Sequence, residues 1–163
     1  MYVKSRHENK VNQLLLQDGL DAFCPMIKSI RTWSDRKKTI YKPLFPSYVF
    51  VNIQSSLDFY KALNANGACA YIKFGKEYAL ATEKEIEGIK SLLSSQNISN
   101  ISTENLRNIV GQKKIIKNGS LQGLECEIVN TNNLNKIVVK IESLRQCIIA
   151  TMSSDILFGE LSA

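Results

Sequence analysis

The residues best suited to recognise another molecule lie in two adjacent stretches, one basic and one aromatic. The basic stretch, residues 28–42, contains six cationic residues and one acidic residue, Asp35. The cationic residues are Lys28, Arg31, Arg36, Lys37, Lys38 and Lys42. Lysine and arginine make salt-dependent phosphate contacts that depend little on base sequence. The formal charge of +6 also favours an anionic partner. A solvated, lysine-rich turn is the alternative interpretation.

The aromatic stretch, PLFPSYVFVNI at residues 43–53, is apolar on both faces if it forms a strand. Alternation puts one set of side chains on the first face (Phe45, Val49, Val51, Ile53) and another on the second (Leu44, Tyr48, Phe50). We expect the aliphatic first face to lie against the core. The second face is then open, and exposed aromatic residues there indicate a docking surface. The alternative is that another part of this chain covers them.

The elements around these stretches follow the order strand, helix, strand, strand, helix, strand. The predicted segments are a strand at 2–4, a helix at 7–17, strands at 21–33 and 39–53 around a basic turn at 34–38, a helix ending at 63 and a strand at 69–74. This order is typical of the split βαβ arrangement of a ferredoxin-like α+β domain. A further helix follows, capped by Thr82-x-x-Glu85.

The rest of the chain has a different composition. Residues 95–109 are rich in serine and asparagine, and we predict a flexible linker there. Four β-branched segments follow, KKIIK, ECEIV, KIVVKI and QCIIATM, which suit a small β-barrel. The predicted domains are therefore residues 1–94 and 110–163.

Chemical catalysis is not indicated by any motif. The sequence has no phosphate-binding glycine loop, nucleophile elbow or HExxH. Its four cysteines are scattered and it has one histidine, so we expect no metal site and no cofactor. There is no membrane-length apolar run and no signal peptide, which predicts a cytoplasmic protein. We also expect a monomer.

Several segments of the sequence resemble those of a known protein family. PLFPSYVFV closely resembles the LFPGYVFV segment of the NusG family of transcription elongation factors, and FCPMIKSIRTWSDRKK and IKFG resemble neighbouring segments. Residues 116–129, with Gly119, Leu121 and Gly123 at the expected spacing, resemble the family's KOW domain. The resemblance implies a ferredoxin-like N-terminal NusG domain (NGN), a linker and an SH3-like β-barrel (KOW).

The resemblance also implies a function and its residues. Family members bind the clamp helices of the largest RNA polymerase subunit and suppress pausing and termination; the matching positions are Tyr2, Phe45, Tyr48 and Phe50. The basic hairpin would lie near upstream or non-template DNA, through Lys28, Arg31, Arg36, Lys37 and Lys38. The KOW domain would contact a small-subunit ribosomal protein or the termination factor Rho.

The sequences of the segments FCPMIKSI and LFPSYVFV favour a specialised paralogue, such as RfaH or the polysaccharide-operon regulators, over housekeeping NusG. Three features depart from the family pattern. The family's first strand usually has Trp-Tyr before the tyrosine that matches Tyr2, and this sequence does not. Cys126 stands where the KOW motif has glycine, and Phe59-Tyr60-Lys61-Ala62 replaces the threonine-rich segment of RfaH. A KOW protein that binds RNA or the ribosome in translation is the alternative from another class.

Overall fold

The computed structural model describes residues 1–32, 36–96, 98–105, 112–116, 121–131 and 134–152. The chain divides into two compact units, Met1–Ala79 and Leu80–Ala163. The described helices are α1 (Glu8–Gln17), α2 (Ser56–Asn64) and α3 (Glu83–Ser94). The described strands are β1 (Tyr2–Val3), β2 (Asp21–Phe23), β3 (Met26–Thr32), β4 (Lys37–Pro43), β5 (Phe50–Asn52), β6 (Ala68–Ala70), β7 (Lys73–Phe74), β8 (Glu77–Tyr78), β9 (Ile98–Asn105), β10 (Gln112–Ile115), β11 (Glu125–Thr131), β12 (Leu134–Ile141) and β13 (Gln146–Met152).

Helices α1 and α2 form where local signals predict them. Val11 and Leu15 are four residues apart on α1, so they lie on one face, and both are fully buried. At the start of α2 the Ser55 hydroxyl accepts the backbone N–H of Asp58 at 3.1 Å, which satisfies one of the free N–H groups of the first turn. The two predicted helices are confirmed.

Four short strands of the first unit lie side by side in the order β2, β5, β1, β6. Antiparallel ladders join β2 to β5 and β1 to β6. Between β5 and β1, Tyr2 forms a bridge with Tyr48 and the Val3 N–H donates to the Ser47 carbonyl at 2.9 Å. Since α1 follows β1 and α2 precedes β6, this is the split βαβ connectivity that the sequence predicts.

One face of this sheet is aliphatic and packs on the helices. Val49 is 1% exposed and shares a core cluster with Leu15 of α1 and Ala62 of α2. Val51 and Ile53 are partly buried and pack against the same cluster. The prediction that the aliphatic face of residues 43–53 lies on the core is confirmed for these three residues of the stretch.

The two long strands predicted at residues 21–33 and 39–53 are each interrupted. The first breaks at Cys24-Pro25, between β2 and β3, and the second at residues 44–47, between β4 and β5. Each break contains a proline, which lacks the N–H that a strand interior needs. As a result β3 and β4 form a hairpin of their own, with Met26 opposite Pro43 at one end and Thr32 opposite Lys37 at the other.

The second unit contains an antiparallel sheet with the strand order β10, β11, β12, β13, β9. Its well-buried side chains are mostly β-branched, as with Ile137 and Ile141 of β12 and Ile148 of β13, each exposed by 1% or less. The four strands predicted from the segments KKIIK, ECEIV, KIVVKI and QCIIATM are confirmed as β10 to β13. Closure of this sheet into an SH3-like barrel and its assignment as a KOW domain stay predictions.

The structure differs from the predicted linker at residues 95–109. Ile98–Asn105 form β9, which pairs antiparallel with β13, with Thr103 opposite Ile148. Serine and asparagine have low strand propensity, but pairing with a neighbouring strand overrides a weak local preference. Residues 106–110 lie outside the described residues. The second unit also begins at Leu80, so α3 is grouped with this sheet although it was predicted to end the first domain at residue 94.

Candidate functional site

Four aromatic side chains share the face of the first unit's sheet that lies opposite the helices. The rings of Tyr2 and Tyr48 meet edge to face with centroids 5.9 Å apart, and those of Phe23 and Phe50 stack at 6.2 Å. Tyr2 lies opposite Tyr48 and Phe23 opposite Phe50, and residues 48 and 50 are two apart on one strand. All four therefore point to one side. We call Tyr2, Phe23, Tyr48 and Phe50 the aromatic patch.

The patch is accessible. Tyr2 is 46% exposed, and the other three side chains are half-buried. Aromatic pairs at these separations contribute about 0.5–1.5 kcal/mol beyond the area they bury, so the rings hold one another in place. Phe23 was missed in the sequence because the three-residue strand β2 is too short to show alternation. Its pairing with β5 is the signal that would have identified it.

Two residues of the predicted site do not lie at the surface. Phe45 was expected to bind polymerase but is fully buried, and Leu44 was expected on the open face but is 2% exposed. Alternation places Phe45 on the inward face, so at Phe45 only the expectation from the family resemblance is wrong. Alternation itself fails at Leu44, because residues 44–47 form a turn and are not part of a strand. Phe45 instead meets Phe50 edge to face at 5.9 Å. Phe45 therefore supports the patch from the interior of the unit, through its contact with Phe50.

A buried carboxylate holds this turn in place. Glu8, in the first turn of α1, is 4% exposed, and its Oε1 accepts the backbone N–H of Ser47 at 2.8 Å. Ser47 has φ +65°, a conformation that costs residues other than glycine about 1–2 kcal/mol. The Ser47 carbonyl in turn accepts the Val3 N–H. Glu8 therefore ties the turn to both α1 and the sheet, immediately before Tyr48. The sequence gives no motif that marks this role.

The basic hairpin β3–β4 presents most of the predicted nucleic-acid-binding residues to solvent. Lys28, Arg36, Lys37 and Lys38 are exposed. The backbone of Arg31 pairs with that of Lys38, while residues 33–35 at the tip lie outside the described residues. The cations are thus spread along the hairpin, because Lys37 and Lys38 belong to β4 and not to a turn.

The hairpin also exposes two apolar side chains. Ile30 is 66% and Tyr41 is 68% exposed. Tyr41 lies directly opposite Lys28, and Ile30 opposite Thr39. Both pairs lie on one face of the hairpin, because residues two apart on a strand point to the same side. An exposed tyrosine beside a lysine offers a ring for base stacking next to a phosphate-binding cation.

A second aromatic cluster in the first unit serves the fold. Phe59 of α2 stacks on Tyr71 at 4.3 Å, and the Tyr71 hydroxyl donates to the Phe59 carbonyl at 2.9 Å. Tyr78 meets both rings, and the Lys73 ammonium lies 4.4 Å from its centroid. These contacts tie α2 to the β7–β8 hairpin.

Three of the four thiols, those of Cys24, Cys126 and Cys147, are buried and poorly suited to nucleophilic chemistry. Burial, and then the nearby charge of Glu8, raise the pKa of Cys24 to about 11. Burial also raises the pKa of Cys126 and of Cys147. A protonated thiol is a weak nucleophile. Within the described residues, no three His, Cys, Asp or Glu side chains are grouped to hold a metal, and no helix is long and apolar enough to cross a membrane.

Residues 1–110 match the model of a family described as "Transcription termination factor nusG". The match spans 110 of the 163 residues and includes the aromatic patch, the hairpin and the turn held by Glu8.

Replacing Glu8 with alanine should destabilise the protein. The change leaves the Ser47 N–H without its acceptor in a partly buried position, which costs about 1 kcal/mol or more. Glu8→Gln keeps an acceptor oxygen and should cost less. Urea denaturation of the full chain measures the free energy of unfolding, with Lys10→Ala, an exposed position on the same helix, as the matched control. Equal stabilities for Glu8→Ala and Lys10→Ala would contradict the role given to Glu8.

Proposed function

The chain belongs to the NusG family, and from this membership we propose that it is a non-catalytic transcription elongation and antitermination factor. It binds RNA polymerase through its first unit, suppresses pausing and termination, and acts on particular long operons. It works in the cytoplasm as a monomer without a cofactor.

The observation that carries this proposal is the aromatic patch on the sheet face opposite the helices. Aromatic side chains are enriched in protein interfaces, and contiguous exposed apolar surface marks docking sites. The family resemblance assigns this face to the clamp helices of the largest polymerase subunit. Tyr2, Tyr48 and Phe50 are the matching positions on the patch, and Phe23 adds to them.

The geometry of the patch suits a tight contact. Its side chains stand on paired strands and pack against one another, so little conformational freedom is lost when a partner binds. Tyr2 and Tyr48 each combine an apolar ring with a hydroxyl that can bond to polar groups on the partner. The Glu8–Ser47 hydrogen bond fixes the chain just before Tyr48, which further preorganises the surface.

We propose that the hairpin contacts upstream or non-template DNA in the same complex. Strand β3 follows β2 after Cys24-Pro25, and β4 leads to β5 through the turn at 44–47. The hairpin thus begins and ends at the two strands that carry Phe23 and Phe50, so docking of the patch would also position its cations. Lys28, Arg31, Arg36, Lys37 and Lys38 contact phosphates without reading the base sequence.

The second unit is proposed to be a KOW domain that binds a small-subunit ribosomal protein or Rho. Support comes from its antiparallel sheet of short strands and from the KOW-like segment at residues 116–129. The sequence of the LFPSYVFV segment supports a specialised paralogue. Housekeeping NusG is the alternative. A translational RNA-binding role is less well supported, because RNA binding does not require an aromatic docking face.

Replacing Tyr48 and Phe50 together with alanine should weaken binding to purified RNA polymerase while leaving the protein folded. Interface aromatics contribute about 2 kcal/mol or more each, so affinity should fall by roughly two to three orders of magnitude. Fluorescence titration of labelled full-length protein with polymerase measures this loss, and circular dichroism monitors the fold.

Val49→Asp is the control on the opposite face. It places a charge in the helix-covered core and should unfold the first unit. If the Tyr48/Phe50 double variant also unfolds, the open face has been misassigned. If it folds and binds polymerase with unchanged affinity, the docking proposal is wrong.

Reversing Arg36, Lys37 and Lys38 to glutamate should weaken binding to a complete elongation complex but not to polymerase without nucleic acid. Each lost phosphate contact should reduce the slope of log K against log salt by about 0.9 on duplex DNA. Reversal of the exposed Lys4, Lys10 and Lys76 is the charge-matched control. An unchanged salt slope in the hairpin variant would show that the hairpin is only a solvated element.

A further inference from the structure

One face of the hairpin β3–β4 combines cationic and apolar side chains that are all exposed. Strand pairing sets Lys28 opposite Tyr41 and Ile30 opposite Thr39. Lys37 lies two residues before Thr39 on β4 and so points to the same side. All five side chains are exposed. We call Lys28, Ile30, Lys37, Thr39 and Tyr41 the hairpin face.

The other face of the hairpin lies against the protein. Ile27 is buried there, and Ser29 and Ile40 are half-buried. At the base of the hairpin the Leu44 N–H donates to the Pro25 carbonyl at 2.8 Å. The hairpin is therefore held by one side only. The apolar residues of the hairpin face take no part in the core, so their exposure is not explained by the packing of this unit.

Tyr41 and Ile30 form one small apolar surface. They are diagonal neighbours across the two strands, and side chains in that relation are within reach of each other when one is aromatic. Lys28, directly opposite Tyr41, has its Cβ about 4.5–5.5 Å from the tyrosine Cβ, the usual separation of such a pair. A flat ring, an aliphatic side chain and an ammonium group thus share one place on the hairpin.

The charge around this surface indicates the class of partner. Between residues 22 and 57 the sequence has six cationic residues and one acidic residue, Asp35. A surface of this charge attracts a polyanion. Nucleic acid supplies phosphates for the lysines and flat bases for the tyrosine ring, and proteins that bind single strands combine these same two features.

The tyrosine ring distinguishes unpaired from paired nucleic acid. Lysines alone do not, because both forms present phosphates. In a duplex, each base face is covered by the neighbouring bases, so a ring on the surface of a protein can stack only on a base that has left the duplex. An exposed ring beside phosphate-binding lysines therefore suits a single strand better than a duplex.

We propose that the hairpin face binds unpaired DNA by stacking one base on Tyr41. Lys28 and Lys37 contact the flanking phosphates, and Ile30 contacts the edge of the stacked base. This inference rests on the proposed DNA contact of the hairpin and narrows it to the single-stranded part of the non-template strand. Base sequence is not read, because every base has a face that can stack.

The first test measures binding of the full-length protein to a fluorescent DNA of about 12 nucleotides, single-stranded or annealed to its complement. Tyr41→Ala should weaken binding of the single strand by roughly five- to a hundredfold, the loss expected for one stacked base. It should leave duplex affinity within about twofold. The salt dependence of single-strand binding should not change, because no phosphate contact is lost.

Matched variants test the roles of the residues. Tyr41→Trp keeps an aromatic ring and should retain single-strand affinity. Lys28→Ala should reduce the slope of log K against log salt by about 0.7 on the single strand. Tyr60→Ala removes a tyrosine of α2 that is 65% exposed, and DNA binding should not change. Circular dichroism monitors the fold of each variant.

Failure of this inference is distinguishable from failure of polymerase docking. The DNA assay contains no polymerase, and the Tyr48/Phe50 double variant should bind the single strand normally. Equal losses on single strand and duplex in Tyr41→Ala, or no saturable binding of the single strand by the unchanged protein, would overturn the proposal. Weaker binding of Tyr41→Ala to polymerase without nucleic acid would overturn it too, by assigning the hairpin face to a protein.

A second test identifies the strand that the hairpin face contacts. Elongation complexes are assembled with a complete non-template strand or with one that lacks the bubble segment. Tyr41→Ala should weaken binding to the first complex and have no effect on binding to the second. An equal effect on both would assign the tyrosine to the nascent RNA or the upstream duplex, and would overturn the proposal.

Discussion

The hydrogen bond from the Ser47 amide to the buried carboxylate of Glu8 is the constraint on which the first unit depends. It holds a turn whose last residue, Ser47, has an unfavourable backbone conformation, φ +65°. The turn decides which side chains of residues 43–53 go inward. Before it ends, Leu44 and Phe45 are buried; after it, Val49 faces the helices and Tyr48 faces away. A shift of one residue here would exchange the two faces.

That constraint explains how a small domain can have a sheet that is apolar on both sides. The aliphatic side packs on α1 and α2. The aromatic side would be unfavourable in isolation, but its rings pack in pairs and Phe45 supports them from below.

Much of this arrangement follows from the sequence, and the errors have physical causes. Capping residues and apolar spacing predict α1, α2 and α3, and alternation is correct from Tyr48 to Ile53, where the chain is extended. It fails at Leu44, because serine replaces the glycine that would have signalled a turn with positive φ. The strand β9 was missed because its pairing with β13 is a long-range contact, which local composition does not report. Glu8 and Phe23 matter through neighbours distant in sequence, so no local pattern identifies them.

The most direct test of the account is site-specific photo-crosslinking within the elongation complex. A photoreactive phenylalanine analogue replaces Tyr48 in one protein and Tyr60, a tyrosine of α2 that is 65% exposed, in another. Because the analogue is aromatic, it should preserve the packing of the patch. The account predicts that the analogue at position 48 crosslinks to the largest subunit of RNA polymerase and that the analogue at position 60 does not crosslink to that subunit. Crosslinking to that subunit from position 60 but not from position 48 would contradict the assignment of the aromatic patch as the docking surface.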